Sequence, residues 1–252
     1  MHIRSALPFA LVTPLALIAC ERKPVEPPPA QKSAPEIAAA PPAPPPPWFI
    51  CDAVDAPTVL VVSRPDARRE VTILRIDKAD LHPPVAALYV LGAEDPGAGS
   101  VTQTLSRDGA EAGFIRSANP GMLDKPQEAT TAPVLSVKLD ESSLSCRWLA
   151  RTRLFGLTTG RTVLVTDADD GPMLRTFDFK DPRGRTQTNP DGAQRSNPPT
   201  LRIAGGKADG DRFTFANAGY GYVVDGHRFA VTQGGQPTSD EPFVAVQRAG
   251  AH

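Results

Sequence analysis

The chain has 252 residues, 40% of them apolar and 22% charged, which is the composition of an ordinary folded domain. Its 27 basic and 28 acidic residues leave a net charge of −1, so the positive excess that grips a nucleic-acid backbone is missing and no nucleic-acid partner is expected. Residues 1–19 open with Met1-His2-Ile3-Arg4 and continue as an apolar stretch from Ala6 to Ala19. A charged start, an apolar run and small residues before a cut site predict a secretory signal peptide. The run is shorter than the ~20 residues that span a bilayer, and Pro8 and Pro14 argue against a spanning helix.

At Leu17-Ile18-Ala19-Cys20 the sequence resembles a bacterial lipobox. The resemblance implies that Cys20 becomes the first residue of the mature chain and carries a thioether-linked diacylglycerol, usually with a third acyl chain on its amine. Two or more acyl chains hold a protein stably on a bilayer, so the membrane is a partner through the lipid anchor. Glu21 follows the cysteine, where an inner-membrane retention signal is usually Asp. The resemblance therefore implies an outer-membrane location facing the periplasm.

Residues 20–47 form the lipidated cysteine and a spacer: eleven prolines fall in the 27 positions of 21–47, ending in the run from Pro41 to Pro47. Nothing there can build a core. Proline favours the extended polyproline II form at ~3.1 Å per residue, a reach of roughly 80 Å. Residues 48–252 have lower proline density and many apolar runs, enough for one domain or for two divided near residue 150. With Cys20 assigned to lipid, Cys51 and Cys146 remain, and an even pair in an exported domain predicts a disulfide. Closing a loop of about 95 residues contributes about 4–5 kcal/mol in the chain-entropy picture.

Short apolar runs with near-alternation predict an all-β fold, an antiparallel sandwich or barrel-like domain, with two similar packed β units as one arrangement. In chain order the strands are expected at 49–54, 58–63, 70–76, 85–91, 101–106, 112–117, 134–139, 143–149, 153–158, 162–166, 173–179, 201–204, 212–217, 220–224, 229–232 and 243–247. Residues 77–82 and 123–128 invite short helical turns. Asp140-Glu141, Asp169-Asp170-Gly171, Asp225-Gly226 and Gly234-Gly235 supply turn chemistry, and 220–232 is the clearest hairpin. The two similar units would come from a duplication at an offset of 66 residues, pairing the strand after Pro133 with the strand after Pro199.

Signals for chemistry are sparse. His82, His227 and His252 are not spaced as metal ligands, and no nucleophile elbow or phosphate loop is present, so neither metal nor cofactor is expected. Asp167-Ala168-Asp169-Asp170-Gly171 lacks the spacing of a calcium loop and reads as a turn. Residues 77–142 hold ten acids and five bases, whereas 147–202 hold ten bases and six acids. Arginine suits bidentate contacts to carboxylate or phosphate, which makes Arg147, Arg151 and Arg153 candidate binding residues. The long segment of low periodicity that includes Asn119 and Met122 is a second candidate, because loops on rigid β scaffolds often bind ligands.

Trp48 to Cys51, followed by hairpins and a late cysteine, is similar to the start of the small β-barrel lysozyme-inhibitor lipoproteins. Their serine-glycine-x-x-tyrosine loop is missing, since Gly97-Ala98-Gly99-Ser100-Val101 has no tyrosine, and this domain is longer. The leading expectation is a non-catalytic binding or inhibitory role, toward an envelope protein or a cell-wall polymer; the resemblance points the same way, but the family's own activity is not carried over. Two other readings stay open: a periplasmic cell-wall or glycan hydrolase working through paired carboxylates drawn from Glu111, Asp167, Asp169 or Asp178, and a structural component of an envelope complex.

Overall fold

The structure is a computed structural model that describes residues 46–80, 84–181 and 198–250. Cys20, the signal-like segment and most of the proline-rich stretch lie outside the described residues. The fold is all-β and antiparallel, as the alternation predicts.

Its first half is an eight-stranded meander in chain order: β1 (Phe49–Asp52), β2 (Thr58–Val62), β3 (Glu70–Asp77), β4 (Val85–Pro96), β5 (Ser100–Arg107), β6 (Ala110–Ala118), β7 (Val134–Leu139) and β8 (Ser142–Ser145). The period of two is visible at the start of β3, where Val71 and Ile73 are buried and Thr72 between them is exposed. The inward set, including Leu60, Ile73, Leu105, Ile115, Val137 and Leu144, fills the interior. The tight turn at Asp108-Gly109 uses positive φ at both residues, 54° and 80°, the conformation that matches the twist of a two-residue hairpin. The meander curls until its first and last strands meet. Ala53 bridges Cys146, the Arg147 N–H donates to the Asp52 carbonyl at 2.9 Å, and the Val54 N–H donates to Ser145 at 2.9 Å. The result is a nearly closed barrel, and the Cys51–Cys146 disulfide crosses its seam.

The second half is two five-stranded sheets. One has the order β12 (Leu201–Ile203), β11 (Gly171–Asp178), β10 (Arg161–Ala168), β9 (Thr152–Leu157), β18 (Ala245–Arg248). The other runs β13 (Lys207–Asp209), β14 (Arg212–Asn217), β15 (Tyr220–Val224), β16 (Arg228–Gln233), β17 (Gln236–Pro242). Leu154, Val163, Val165 and Leu174 pack against Phe213, Phe215, Val224 and Phe229 to form a sandwich core. The opposite face of the same sheet, with Phe155, Leu157, Leu164 and Phe177, packs on Ile50 and Val59 of the barrel wall. A sheet covered on both faces needs apolar residues in both phases, which is why Leu154–Leu157 and Thr162–Thr166 are buried without alternation.

Several expectations change. The strand expected at 143–149 ends at Ser145, because Cys146 and Arg147 turn into the seam. β4 runs on to Pro96 through an irregularity between Leu91 and Glu94. β13 and β17 have no apolar alternation and were not expected; each earns its place through the ladder to β14 or β16. Of the helical turns, residues 77–80 are not helical and 81–83 lie outside the described residues, whereas 123–128 overlaps a 3-10 turn at Pro126–Glu128, with another at Pro120–Met122. The segments paired by the 66-residue offset occupy different places. Val134 begins β7 inside the barrel meander, and Leu201 begins β12 at the edge of a sandwich sheet, so the two units are not alike.

A buried ionic cluster sits at the seam. Asp52 and Lys78 have fully buried side chains with Nζ and Oδ1 2.5 Å apart, and Lys78 also donates to the Ala53 carbonyl at 2.6 Å. Arg147 Nε lies 2.9 Å from Asp52 Oδ2, and its guanidinium stacks 3.4 Å above the Phe177 ring. Thr162 Oγ1 donates to Asp52 Oδ2 at 2.8 Å, so the carboxylate holds barrel and sandwich together. Burial alone would push this carboxyl up, but the charges and hydrogen bonds of Lys78 and Arg147 outweigh it and hold it below its ordinary value.

Replacing Asp52 by Asn leaves two buried cations without a counter-charge and is expected to cost about 3–5 kcal/mol in urea unfolding of the oxidised protein. An unchanged midpoint would remove the cluster from the account of stability. Because the native carboxyl ionises below the unfolded one, its contribution is complete above about pH 4 and disappears as pH falls through the lower native value. Stability measured in wild type against pH should therefore decline on the acid side more steeply than in Asp52→Asn.

Candidate functional site

A cleft opens at one end of the barrel, with a volume of about 450 Å³. Its first wall is the β2–β3 connection. Asp66 Oδ1 accepts the backbone N–H groups of Arg68 at 2.9 Å and Glu70 at 2.7 Å, folding the loop around one carboxylate. Arg69 takes φ 62°, and its guanidinium donates to the carbonyls of Leu91, at 2.9 Å, and of Gly92. The loop is thereby fastened to β4 where that strand is irregular. A Cβ at Gly92 would lie 2.0 Å from Thr104 Oγ1, so a larger residue there would have to displace the Thr104 side chain. Beyond the irregularity Glu94 faces Gln103 across the ladder.

Trp48 supplies the other wall. Its N–H donates to Val62 at 2.8 Å, its carbonyl accepts from Gln247 Nε2 at 3.0 Å, and its ring meets Phe49 edge-on at 5.1 Å. Leu91 and Pro65 complete the apolar lining. Two of the four charged groups are occupied: Arg69 on backbone carbonyls and Asp66 on backbone N–H groups. Arg64, Glu94 and Gln103 have no side-chain partner among the described residues. The cleft can take a ligand that lays an apolar face on Trp48 and offers donors and acceptors to these three.

The residues singled out from the sequence lie elsewhere. Cys51 and Cys146 are joined at the seam. Arg147, with 8% of its side chain exposed, is committed to Asp52 and Phe177, which removes it from any surface site. Arg151 and Arg153 each lie 3.4 Å from an acid of the β10–β11 hairpin, Asp169 and Asp167 respectively. Asn119 caps a 3-10 turn by accepting the Gly121 N–H at 3.0 Å, and Met122 is 67% exposed. Their loop is tied to the sandwich through Glu128, whose carbonyl accepts from Arg151 at 2.6 Å, and through Thr130, whose hydroxyl donates to Thr152 at 2.6 Å. It serves as a strap between the halves.

The carboxylates considered for hydrolysis are also placed. Glu111 is exposed on β6, and Asp167 and Asp169 carry the arginine pairs just described. Asp178 and Glu241 share one guanidinium: Arg161 lies 3.0 Å from Asp178 Oδ1 and 2.9 Å from Glu241 Oε1, while Thr158 donates to Glu241 at 2.8 Å. Burial pushes the Asp178 carboxyl up, and Arg161 opposes it. This cluster links β10 and β11 to β17 of the facing sheet. Among the described residues no three His, Cys, Asp or Glu side chains converge as a metal site.

No protein-family model matches the chain, and no curated protein matches it. Sequence reasoning missed the cleft because its wall comes from four separated segments. The available signals were Trp48 at the first apolar run and Gly92 inside a strand pattern.

Replacing Arg161 by Met is expected to push the Asp178 carboxyl further up, since burial and the neighbouring Glu241 charge would then act without their main opponent. Carbon-13 NMR titration of the side-chain carboxyls reads this directly; a titration that does not move would show that Arg161 is not what holds Asp178 ionised.

Proposed function

We propose that the chain is a lipid-anchored envelope protein, tethered at Cys20 to the outer membrane and facing the periplasm, whose β domain binds another macromolecule and does not turn it over. The observation that carries the binding half is the cleft, with an aromatic wall beside three polar side chains that have no side-chain partner among the described residues. The anchoring half rests on the lipobox-like Leu17-Ile18-Ala19-Cys20 and the proline-rich spacer behind it. The spacer expected over 20–47 ends next to Trp48, which lines the cleft. An exported location also agrees with the cystine, which oxidising compartments maintain. The partner is an envelope protein or a cell-wall polymer that offers an apolar face bordered by hydrogen-bonding groups.

Two measurements test this. Mass spectrometry of the native protein should find an acylated Cys20 as the first residue, and Cys20→Ser should move the protein from the membrane fraction to the soluble one. Copurification from detergent-solubilised membranes should recover a partner with wild type and at least about tenfold less with Arg64→Ala/Gln103→Ala, a loss of about 1.4 kcal/mol or more. The double variant should unfold at the same temperature as wild type. An unlipidated terminus would overturn the anchor, and undiminished recovery, or turnover of a wall glycan by the purified chain, would overturn the binding role.

A further inference from the structure

Arg175 and Arg202 stand directly opposite each other where β11 pairs with β12. Like charges in that register repel. Their side chains share one face of the sheet and lean toward the same end. Arg175 Nη1 donates to Thr166 Oγ1 at 2.8 Å, and Arg202 Nε lies 3.2 Å from Met173 Sδ. Arg107, Arg151, Arg153, Arg161, Arg228 and Arg248 each have a carboxylate within ion-pair distance. Arg175 and Arg202 have none among the described residues. Asp167 follows Thr166 on β10 and so projects to the other face, where it meets Arg153. Arg175 is half-buried, and burial followed by the Arg202 charge lowers its pKa.

Two arginines thus face each other on one side of the β11–β12 pair, one of them fixed by a threonine, with no counter-charge among the described residues. We propose that Arg175 and Arg202 form an anion site for a phosphoryl group. A carboxylate offers two oxygens and satisfies one guanidinium fork, whereas a phosphoryl group offers three and can engage two forks at once. A lipid headgroup, a phosphorylated polymer and free phosphate all present this chemistry. The inference depends neither on the cleft nor on the lipid anchor.

The test uses the full chain carrying Cys20→Ser, with thermal unfolding followed in phosphate, sulfate and chloride at matched ionic strength. Saturating phosphate should raise the midpoint by about 2–4 °C over chloride. Arg202 is exposed, so Arg202→Met keeps the fold; it should unfold at a higher temperature than its parent in chloride, because the repulsion is gone, and should lose the phosphate response. Sedimentation with phosphatidylglycerol vesicles but not with phosphatidylcholine vesicles, dependent on Arg202, would assign the phosphoryl group to a lipid. A response to free phosphate without sedimentation would assign it to a soluble ligand, and either result upholds the site. Equal midpoints in phosphate and chloride, or a phosphate response that survives Arg202→Met, would overturn it.

Discussion

A carboxylate with no access to water must be neutralised where it stands, and Asp52 meets that requirement with groups from every part of the fold it touches. Lys78 comes from the end of β3, Arg147 from beyond β8, and Thr162 from the central sheet of the sandwich. Arg147 can reach Asp52 only if β1 and β8 have met, and Thr162 only if the sandwich has docked. The disulfide reinforces the same seam one residue away on both sides, since Cys51 precedes Asp52 and Cys146 precedes Arg147. Covalent closure and ionic closure therefore select one register. A slip of one residue would break the cystine geometry and bury unpaired charge together.

The sheet formed by β9, β10, β11, β12 and β18 is the middle layer of the molecule. One face belongs to the sandwich core and the other to the barrel wall. Its outer connections repeat the theme, with Arg161 joining β10 and β11 to β17 and the loop around Glu128 and Thr130 strapping the barrel to β9. The cleft benefits from this rigidity: Gln247 of β18 donates to the carbonyl of Trp48, so the sandwich itself positions the aromatic wall at the barrel mouth.

Most strands were legible because burial on one face imposes a period of two, and the turns at Asp140 and Asp225 carried recognisable chemistry. The cystine followed from counting. What was not legible came from tertiary pairing. β13 and β17 are polar and become strands because a neighbour offers a ladder, a fact invisible in Lys207-Ala208-Asp209 itself. Lys78 sat in a segment that suggested a helical turn, yet its ammonium is buried. The one available sign was Asp52 itself, a charge inside the apolar run from Phe49. Arg147 shows the matching limit: a count of arginines along the chain cannot separate one stacked on Phe177 from one facing solvent. The cleft could not be assembled from sequence because the irregularity of β4 decides which residues face it.

The polar character of β17 has a consequence for how copies of the chain behave side by side. Pro237 and Pro242 lack the amide hydrogen that an incoming strand would need, and Asp240 places a charge on the same border. At the far border of that sheet β13 is only three residues long and fully exposed, with Lys207 and Asp209 at its ends. Both margins thus discourage edge-to-edge stacking, and a β-rich protein can be held at high local density without seeding fibrils through this sheet.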